Sequence, residues 1–415
     1  MSNIIFTHPT GNANVRATAK GLENAGFLHQ FNTTVAVFPN EFLYKLGALS
    51  PLTEIRKRSY HASLKPVTKR YPFRELGRLM ASKIGWKQLV KHETGIFCID
   101  QVCLKLDQTV AAKLKKEQKQ GVTGVYAYED GAAQSFKKAT ELGLACLYDL
   151  PIGYWRAKQR LLSQAREEHP QWGATMSGFR DSDAKLARKD KELELADHIF
   201  VASSFTAKTL EDYPGNLAPV HVIPYGFPEV LPGREYQPLD DRKLKILFVG
   251  GLSERKGIAE LFEAVDALVD KIELTVVGQK PAEDCKVLNQ NLAKHRYIPS
   301  LPHDEVLELM RGQDLFLFPS LFEGFGLVIT EAMSQGTPVI TTNRTAGPDL
   351  ITHGQDGWLI KAGSSEAIVD QVEEILQQPE CLERVGRAAM ERAEQRPWEV
   401  YGRELAEKVM ECSPS

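Results

Sequence analysis

The stretch 318–342, FPSLFEGFGLVITEAMSQGTPVITT, narrows what this chain can fold into more than any other. The apolar run Leu315-Phe316-Leu317-Phe318 stops at Pro319-Ser320, the chain is broken again at Gly324 and Gly326, and a helical pattern begins at Leu327. The spacing predicts a strand, a turn and a helix. Glycine at 326 allows close approach of a ligand to the backbone, and the N–H groups of Phe325, Gly326 and Leu327 then face outward at a helix N-terminus, which binds phosphate.

Two carboxylates sit in the same unit. Glu323 precedes the glycines, and Glu331 falls on the face of Leu327 because the two are four residues apart. A carboxylate beside an anion site needs hydroxyl partners, and sugar hydroxyls are neutral donors to ionised oxygens. A nucleoside diphosphate sugar supplies both chemistries, with pyrophosphate for the helix and ribose and sugar for the two glutamates. The plainer alternative is one capping glutamate and one ordinary surface glutamate.

Together, Glu323-Gly-Phe-Gly-Leu-x3-Glu331-Ala-Met and the later Gly336-Thr-Pro338-Val-Ile resemble the Glu-x7-Glu signature of retaining GT-B glycosyltransferases, in particular glycosyltransferase family 4. The resemblance implies an α/β fold of two Rossmann-like, doubly wound domains facing across a cleft. It implies that Glu323 contacts the donor sugar, that Glu331 binds ribose, and that the amides of Gly324, Phe325, Gly326 and Leu327 meet the phosphates. A second stretch, Gly250-Gly-Leu-Ser-Glu-Arg-Lys-Gly257, is similar to the family's Gly-Arg-Leu-x3-Lys-Gly motif, whose cations neutralise the departing diphosphate. Lys256 matches the lysine, whereas Gly251 stands where arginine is usual. Arg255 is the neighbouring candidate for that charge, although adjacent residues of an α-helix diverge by about 100°. Gly250 and Gly251 form the turn, and the absence of Gly-Lys-[Ser/Thr] excludes a Walker loop.

Length and composition set the frame. At 415 residues the chain suggests two or three domains, and its net charge of −3 gives no reason to expect nucleic acid. The six cysteines include no Cys-x2-Cys pair, so neither a zinc site nor a disulfide framework is indicated, and a reducing cytosol is the simplest home. The start MSNIIFTHPTGN does not read as a signal peptide, and no apolar run reaches the roughly 18 residues of a membrane span. A cytoplasmic protein is expected, with peripheral contact at the inner face of a membrane as one option.

In the first half, residues 3–7 read as a strand, 8–14 as a loop, and 15–25 as a helix closed by Gly26. This places Gly11 and Asn12 at the crevice beyond the strand end as candidate donor-binding residues, and in the resembling family this loop faces the cleft near the donor phosphates and the acceptor; the alternative is a simple turn. The strand at 122–128 ends in Glu129-Asp130-Gly131, where many relatives of the resembling family carry histidine. Either carboxylate is a candidate to orient or deprotonate an acceptor hydroxyl, and the alternative is that Asp130 caps the following helix. From Arg56 to Lys91 basic residues dominate, interleaved with Tyr60, Tyr71, Phe73 and Trp86. Three readings stay open for that stretch: anionic lipid, an acidic acceptor, or a solvated helical surface. Tyr154 and Trp155 are aromatic candidates for sugar or lipid, with core packing as the alternative. Asp181-Ser-Asp183 precedes a charged helix and reads as a cap, so no metal is expected.

The Pro-rich segment 227–242 divides the chain. The expected domains are 1–226 on the acceptor side, joined by a helix at 397–412 that crosses back, and 227–396 on the nucleotide-sugar side. The expected activity is retaining transfer of a sugar to a hydroxyl of a glycan or lipid-linked glycan. Lys256, Glu323, Glu129 and Asp130 carry it, and no cofactor is needed beyond the nucleotide-diphosphate sugar as co-substrate. A non-catalytic nucleotide-sugar-binding protein and a nucleotide-sugar epimerase are the alternatives.

Overall fold

Short runs of β-branched and aromatic residues, most of them followed by a turn and a helix, pair in parallel along both halves of the chain. A computed structural model describes residues 3–39, 41, 58–176 and 179–412; Arg56, the start of the basic stretch, lies outside them. In the first half the strands are β1 (Ile4–Thr7), β2 (Leu28–Thr33), β3 (Thr68–Arg70), β4 (Gly124–Tyr128), β5 (Ala145–Leu150), β6 (His198–Val201) and β7 (Val220–Val222). Their order is β3-β2-β1-β4-β5-β6-β7, all parallel. The second half holds β8 (Leu244–Val249), β9 (Ile272–Val277), β10 (Arg296–Ile298), β11 (Leu315–Phe318), β12 (Val339–Thr342) and β13 (Trp358–Ile360). These run β10-β9-β8-β11-β12-β13, again all parallel.

Strand order reverses between β1 and β4 in one sheet and between β8 and β11 in the other. In open α/β sheets ligands bind at such reversals, beyond the carboxyl ends of the strands. The loops at Gly11–Asn12 and Glu129–Asp130 follow β1 and β4, and the motifs at Gly250–Gly257 and Glu323–Gly326 follow β8 and β11. Topology alone therefore brings each pair together.

Helices of the first half are α1 (Ala13–Asn24), α2 (Phe73–Ile84), α3 (Ile99–Gln118), α4 (Ala133–Leu142), α5 (Trp155–Glu168), α6 (Asp183–Leu195) and α7 (Ser204–Thr209). Those of the second half are α8 (Ile258–Ala267), α9 (Lys286–Leu292), α10 (His303–Arg311), α11 (Leu327–Ser334), α12 (Gly347–Leu350), α13 (Ser365–Gln377), α14 (Cys381–Gln395) and α15 (Trp398–Cys412). No helix among the described residues is long and apolar enough to cross a membrane. Ser182 caps α6 by accepting from Lys185 N, which is the capping expected of Asp181-Ser-Asp183.

The last helix returns to the first sheet and packs on α1. Gly21 and Gly402 meet at that crossing so closely that a Cβ on Gly21 would lie 2.0 Å from the Gly402 carbonyl oxygen. Thr18 Oγ1 and Tyr401 OH, 3.2 Å apart, close the same contact. Gly21→Ala gains about 1 kcal/mol of helix propensity, but it must separate two backbones, and overpacking of this kind costs about 1–3 kcal/mol or more. The expected result is a lower thermal unfolding midpoint, read by circular dichroism. An unchanged or raised midpoint would contradict the crossing.

Candidate functional site

Between β8 and α8 the chain makes a tight 3-10 turn, Glu254–Lys256, and leaves it through Gly257 at φ 70°. A side chain at 257 would be strained in that left-handed conformation, and its Cβ would fall 2.1 Å from Pro319 O, so glycine is what lets the two loops touch. Arg255 and Lys256 lie before α8, and the α-helical divergence expected from the sequence does not govern them. Both side chains end on one oxygen: Lys256 Nζ pairs with Glu323 Oε2, and Arg255 Nη1 lies 2.9 Å from the same atom and 2.8 Å from Phe322 O. The Lys256 ammonium also stands 4.7 Å over the Phe318 ring. Burial pushes the Glu323 carboxyl up, but the two cations outweigh it and hold it at about 2. Burial pushes Lys256 down, against the pull of Glu323.

Glu254, beside the cations, holds the turn. Its Oε2 accepts from Ala259 N at the start of α8, and its own N–H donates to Thr175 Oγ1 of the first half. Burial and the nearby Glu260 push this carboxyl up to about 9. The space around Gly251 is open, with nothing within 4 Å of where a Cβ would stand, which leaves room at the position where the resembling family's motif has arginine.

Gly326, at φ 89°, is the N-cap of α11, as the helix start at Leu327 requires. Gly324 is pressed against the first half: a Cβ there would lie 2.2 Å from Pro151 O, and its carbonyl accepts from Thr206 Oγ1 at 2.9 Å. The Phe325 ring packs 4.8 Å from that of Tyr225, so its side chain belongs to the core between the halves. Glu331 lies one turn further into α11, where burial pushes its carboxyl up and His303 Nε2, at 3.2 Å, pulls it down. His303 was not singled out in the sequence, since it sits on α10 and reaches Glu331 only through the fold.

In the first half, the β1 loop packs Gly11 against Tyr60, whose hydroxyl would be 2.7 Å from a Cβ at 11. Asn12 is the N-cap residue of α1 but makes no side-chain cap bond and is exposed. A cavity of about 170 Å³ opens here, lined by His8, Thr10, Asn12, Ile99, Tyr128 and Glu129. Burial lowers the His8 imidazole to about 4, so it is neutral at pH 7. Glu129 also lines a second cavity of about 240 Å³ with Trp155, Lys158, Phe179 and Lys189. Its carboxyl is pushed up by burial and pulled down by Lys189, whose Nζ is 3.1 Å away.

Asp130 is not the cap of α4. The N-terminal amides of that helix are taken by Glu192, which accepts from Ala132 N and Ala133 N, and by Asp107, which accepts from Gln134 N and Ser135 N. The Asp130 side chain instead pairs with Arg188 at 2.9 Å and lies 3.5 Å from Lys189, with its backbone at φ 70°. Tyr154 is fully buried, so the core alternative holds for it, while Trp155 lines the second cavity. Lys158 also lines the second cavity. Burial lowers its ammonium, and its next largest influences are repulsion from Arg255 in the second half and from Lys189 in the first.

Two parallel, doubly wound sheets with their reversal points turned to a common space define the GT-B class of architecture. Anabaena HepE, solved in complex with UDP-glucose, shares this fold with a TM-score of 0.61, at 16% identity over 99% of this chain and 100% of that one. Residues 234–392 match the model of the glycosyl transferases group 1 family. The Staphylococcus aureus capsular polysaccharide biosynthesis glycosyltransferase CapM is 27% identical over 53% of this chain, and a phosphatidyl-myo-inositol mannosyltransferase of Mycobacterium leprae is 29% identical over 39%. The matched stretches span 62% and 44% of those relatives.

Proposed function

We propose that the protein is a retaining glycosyltransferase that moves a sugar from a nucleoside diphosphate sugar to a hydroxyl of a glycan or lipid-linked glycan. The observation that carries this reading is the meeting of Lys256, Arg255 and Glu323 at the β8–β11 reversal, beside the N-terminus of α11. Two cations and a helix start suit a diphosphate, and a carboxylate held ionised between them suits sugar hydroxyls. The group 1 family match covers this half, and the HepE complex makes UDP-glucose the first donor to try.

In the reaction, the bond from the sugar's anomeric carbon to the diphosphate oxygen breaks while the acceptor oxygen bonds to the same face, and the acceptor proton passes to the departing diphosphate. Lys256, Arg255 and the amides at Gly326 and Leu327 stabilise the charge that builds on the leaving group. Glu323 holds the donor sugar and Glu331 the ribose. Glu129, which faces both cavities of the first half, orients the acceptor hydroxyl, and Asp130 keeps Lys189 and Arg188 in place around it. Gly250 and Gly251 leave the diphosphate room. Gly11 and Asn12 border the cleft on the first half's side, next to the donor.

A thermal-shift screen of nucleotides and nucleotide sugars tests the donor, since a ligand at about 100 times its Kd adds roughly 2.7 kcal/mol. Stabilisation by nucleoside diphosphates and their sugars, and not by unrelated phosphates, is expected; no stabilisation by any of them would overturn the reading. Glu331→Ala is expected to weaken donor binding roughly 10- to 100-fold, because charge-assisted hydrogen bonds contribute roughly 1.5–3 kcal/mol. Calorimetry with unchanged affinity would remove ribose from Glu331.

We also infer that the acceptor is presented at an anionic membrane. Along α2 and the turn after it, Phe73, Leu76, Met80, Ile84 and Trp86 are all exposed, Phe73 by 76% and Met80 by 62%. Lys69, Lys83, Lys87 and Lys91 are exposed around them. α2 is held from behind by buried Glu75, which pairs with Arg58 and Arg78. An apolar helix face ringed by lysines fits the headgroup region of anionic lipid, and each basic residue near such a surface adds about 1 kcal/mol. The helix leaves the carboxyl end of β3, on the same rim as the cavity of His8 and Glu129. Flotation with phosphatidylglycerol vesicles should retain the protein, and phosphatidylcholine vesicles should not. Serine at Phe73, Met80 and Trp86 together should reduce retention at least about tenfold; equal retention would leave α2 as solvated surface.

A further inference from the structure

A second cluster lies at the opposite end of the first sheet. The loops that face the cleft follow the carboxyl ends of the strands, whereas His198 is the first residue of β6. His221 lies beside it on the edge strand β7, and Cys412 is the last residue of α15. His198 Nδ1 is 3.1 Å from His221 Nε2, and Cys412 Sγ is 3.5 Å from that same nitrogen. Each of the three residues offers a ligand atom within 4.8 Å of the other two, and all three are half-buried.

Hydrogen bonding does not account well for this convergence. A neutral imidazole nitrogen offers one lone pair or one proton, and here two neighbours claim the same one. Coordination does account for it. Zn–N bonds of about 2.0–2.1 Å and Zn–S bonds of about 2.3 Å at tetrahedral angles set N···N edges of about 3.3 Å and N···S edges of about 3.6 Å. The observed separations fall within a few tenths of an ångström of both.

We propose that His198, His221 and Cys412 form a binding site for a borderline divalent metal, zinc or its cobalt surrogate, with water completing the tetrahedron. Two imidazoles and a thiolate select such ions over magnesium and calcium, whose ligands are oxygens. Binding forms two metal–nitrogen bonds and one metal–sulfur bond and releases the thiol proton to water. The nearest charged neighbours of His221, Lys408 and Glu411, are themselves paired, so they leave the local charge nearly balanced. The ion would pin the end of α15 to the sheet edge and fix the returning helix at both of its ends. No spacing pattern announces the site, because its ligands are separated by 23 and 191 positions. It stands apart from the cleft and does not depend on the transferase reading.

The test is titration of the EDTA-treated, reduced full chain with Co²⁺. One equivalent should produce a thiolate-to-cobalt charge-transfer band that Zn²⁺ abolishes. Cys412→Ser should remove the band and weaken Zn²⁺ binding by more than the roughly 100-fold lost with an outer-shell partner of a metal site. Cys381→Ser, at another half-buried thiol, should leave both unchanged. His221→Gln should lose the Zn²⁺-induced rise in melting temperature while keeping the melting temperature of the metal-free protein. Absence of the band, its survival in Cys412→Ser, or an equal loss in Cys381→Ser would overturn the proposal.

Discussion

Lys256→Ala is expected to lower turnover by at least about 10², the factor associated with removing one preorganised group that stabilises transition-state charge. The Lys256 side chain is only 12% exposed, so solvent screens its charge little. Arg255 reaches the same Glu323 oxygen but is 31% exposed and shares its guanidinium with Phe322 O. Solvent screens it more, and Arg255→Ala should cost about tenfold. If the two cations act as a unit, the double variant should lose less than the product of the single losses. Donor hydrolysis measures all three variants without a known acceptor. Near-normal rates in both single variants would mean that the turn at Glu254–Lys256 does not face the leaving group.

The second large effect concerns Glu323. Its carboxylate pairs with the two cations assigned to the diphosphate in the proposed reaction, so under that reading an incoming diphosphate competes with it. Glu323→Gln removes that competition. Free nucleoside diphosphate should bind about tenfold or more tightly to the variant, within the roughly 1.5–3 kcal/mol of a charge-assisted hydrogen bond. The nucleotide sugar should gain much less, because its hydroxyls lose an ionised acceptor, and turnover should fall about 10². Calorimetry with both ligands separates these outcomes. Tighter binding of the sugar form by the same factor would place Glu323 away from the sugar.

How far this site was legible in the sequence depends on how local its parts are. The strand, turn and helix at β8 and β11 were readable because they fall within about ten residues of one another, and glycines such as Gly257 and Gly326 are required by backbone conformation. The convergence of Arg255 and Lys256 was not readable, because helical geometry was the natural assumption for the stretch and the structure puts a 3-10 turn there. In the first half the carboxylates Glu129 and Asp130 stood out at a strand end, but their partners Arg188 and Lys189 come from α6, about sixty positions later. A charged helix was visible in the sequence, whereas its target was not. The capping of α4 shows the same limit: local rules offered Asp130, and the fold uses Glu192 and Asp107 from two other helices.

The basic stretch near α2 shows a different limit. Sequence composition left lipid, acidic acceptor and solvated surface open, because a helix's polar and apolar faces are both visible in its residues while the face turned to the protein is not. The structure puts Glu75 and Ala81 inward and Phe73 and Met80 outward, against the usual rule that a helix buries its apolar stripe. That inversion is what favours a surface that leaves water.

The most direct measurement follows a nucleotide sugar, UDP-glucose first, by ¹H and ³¹P NMR in the presence of the full chain, anionic vesicles and a candidate acceptor lipid. Release of nucleoside diphosphate together with a new glycoside whose anomeric proton keeps the donor's configuration, both lost in Lys256→Ala, is the expected result. A sugar that changes configuration while still attached to its nucleotide, or a donor that binds and is never consumed by any acceptor, would contradict it.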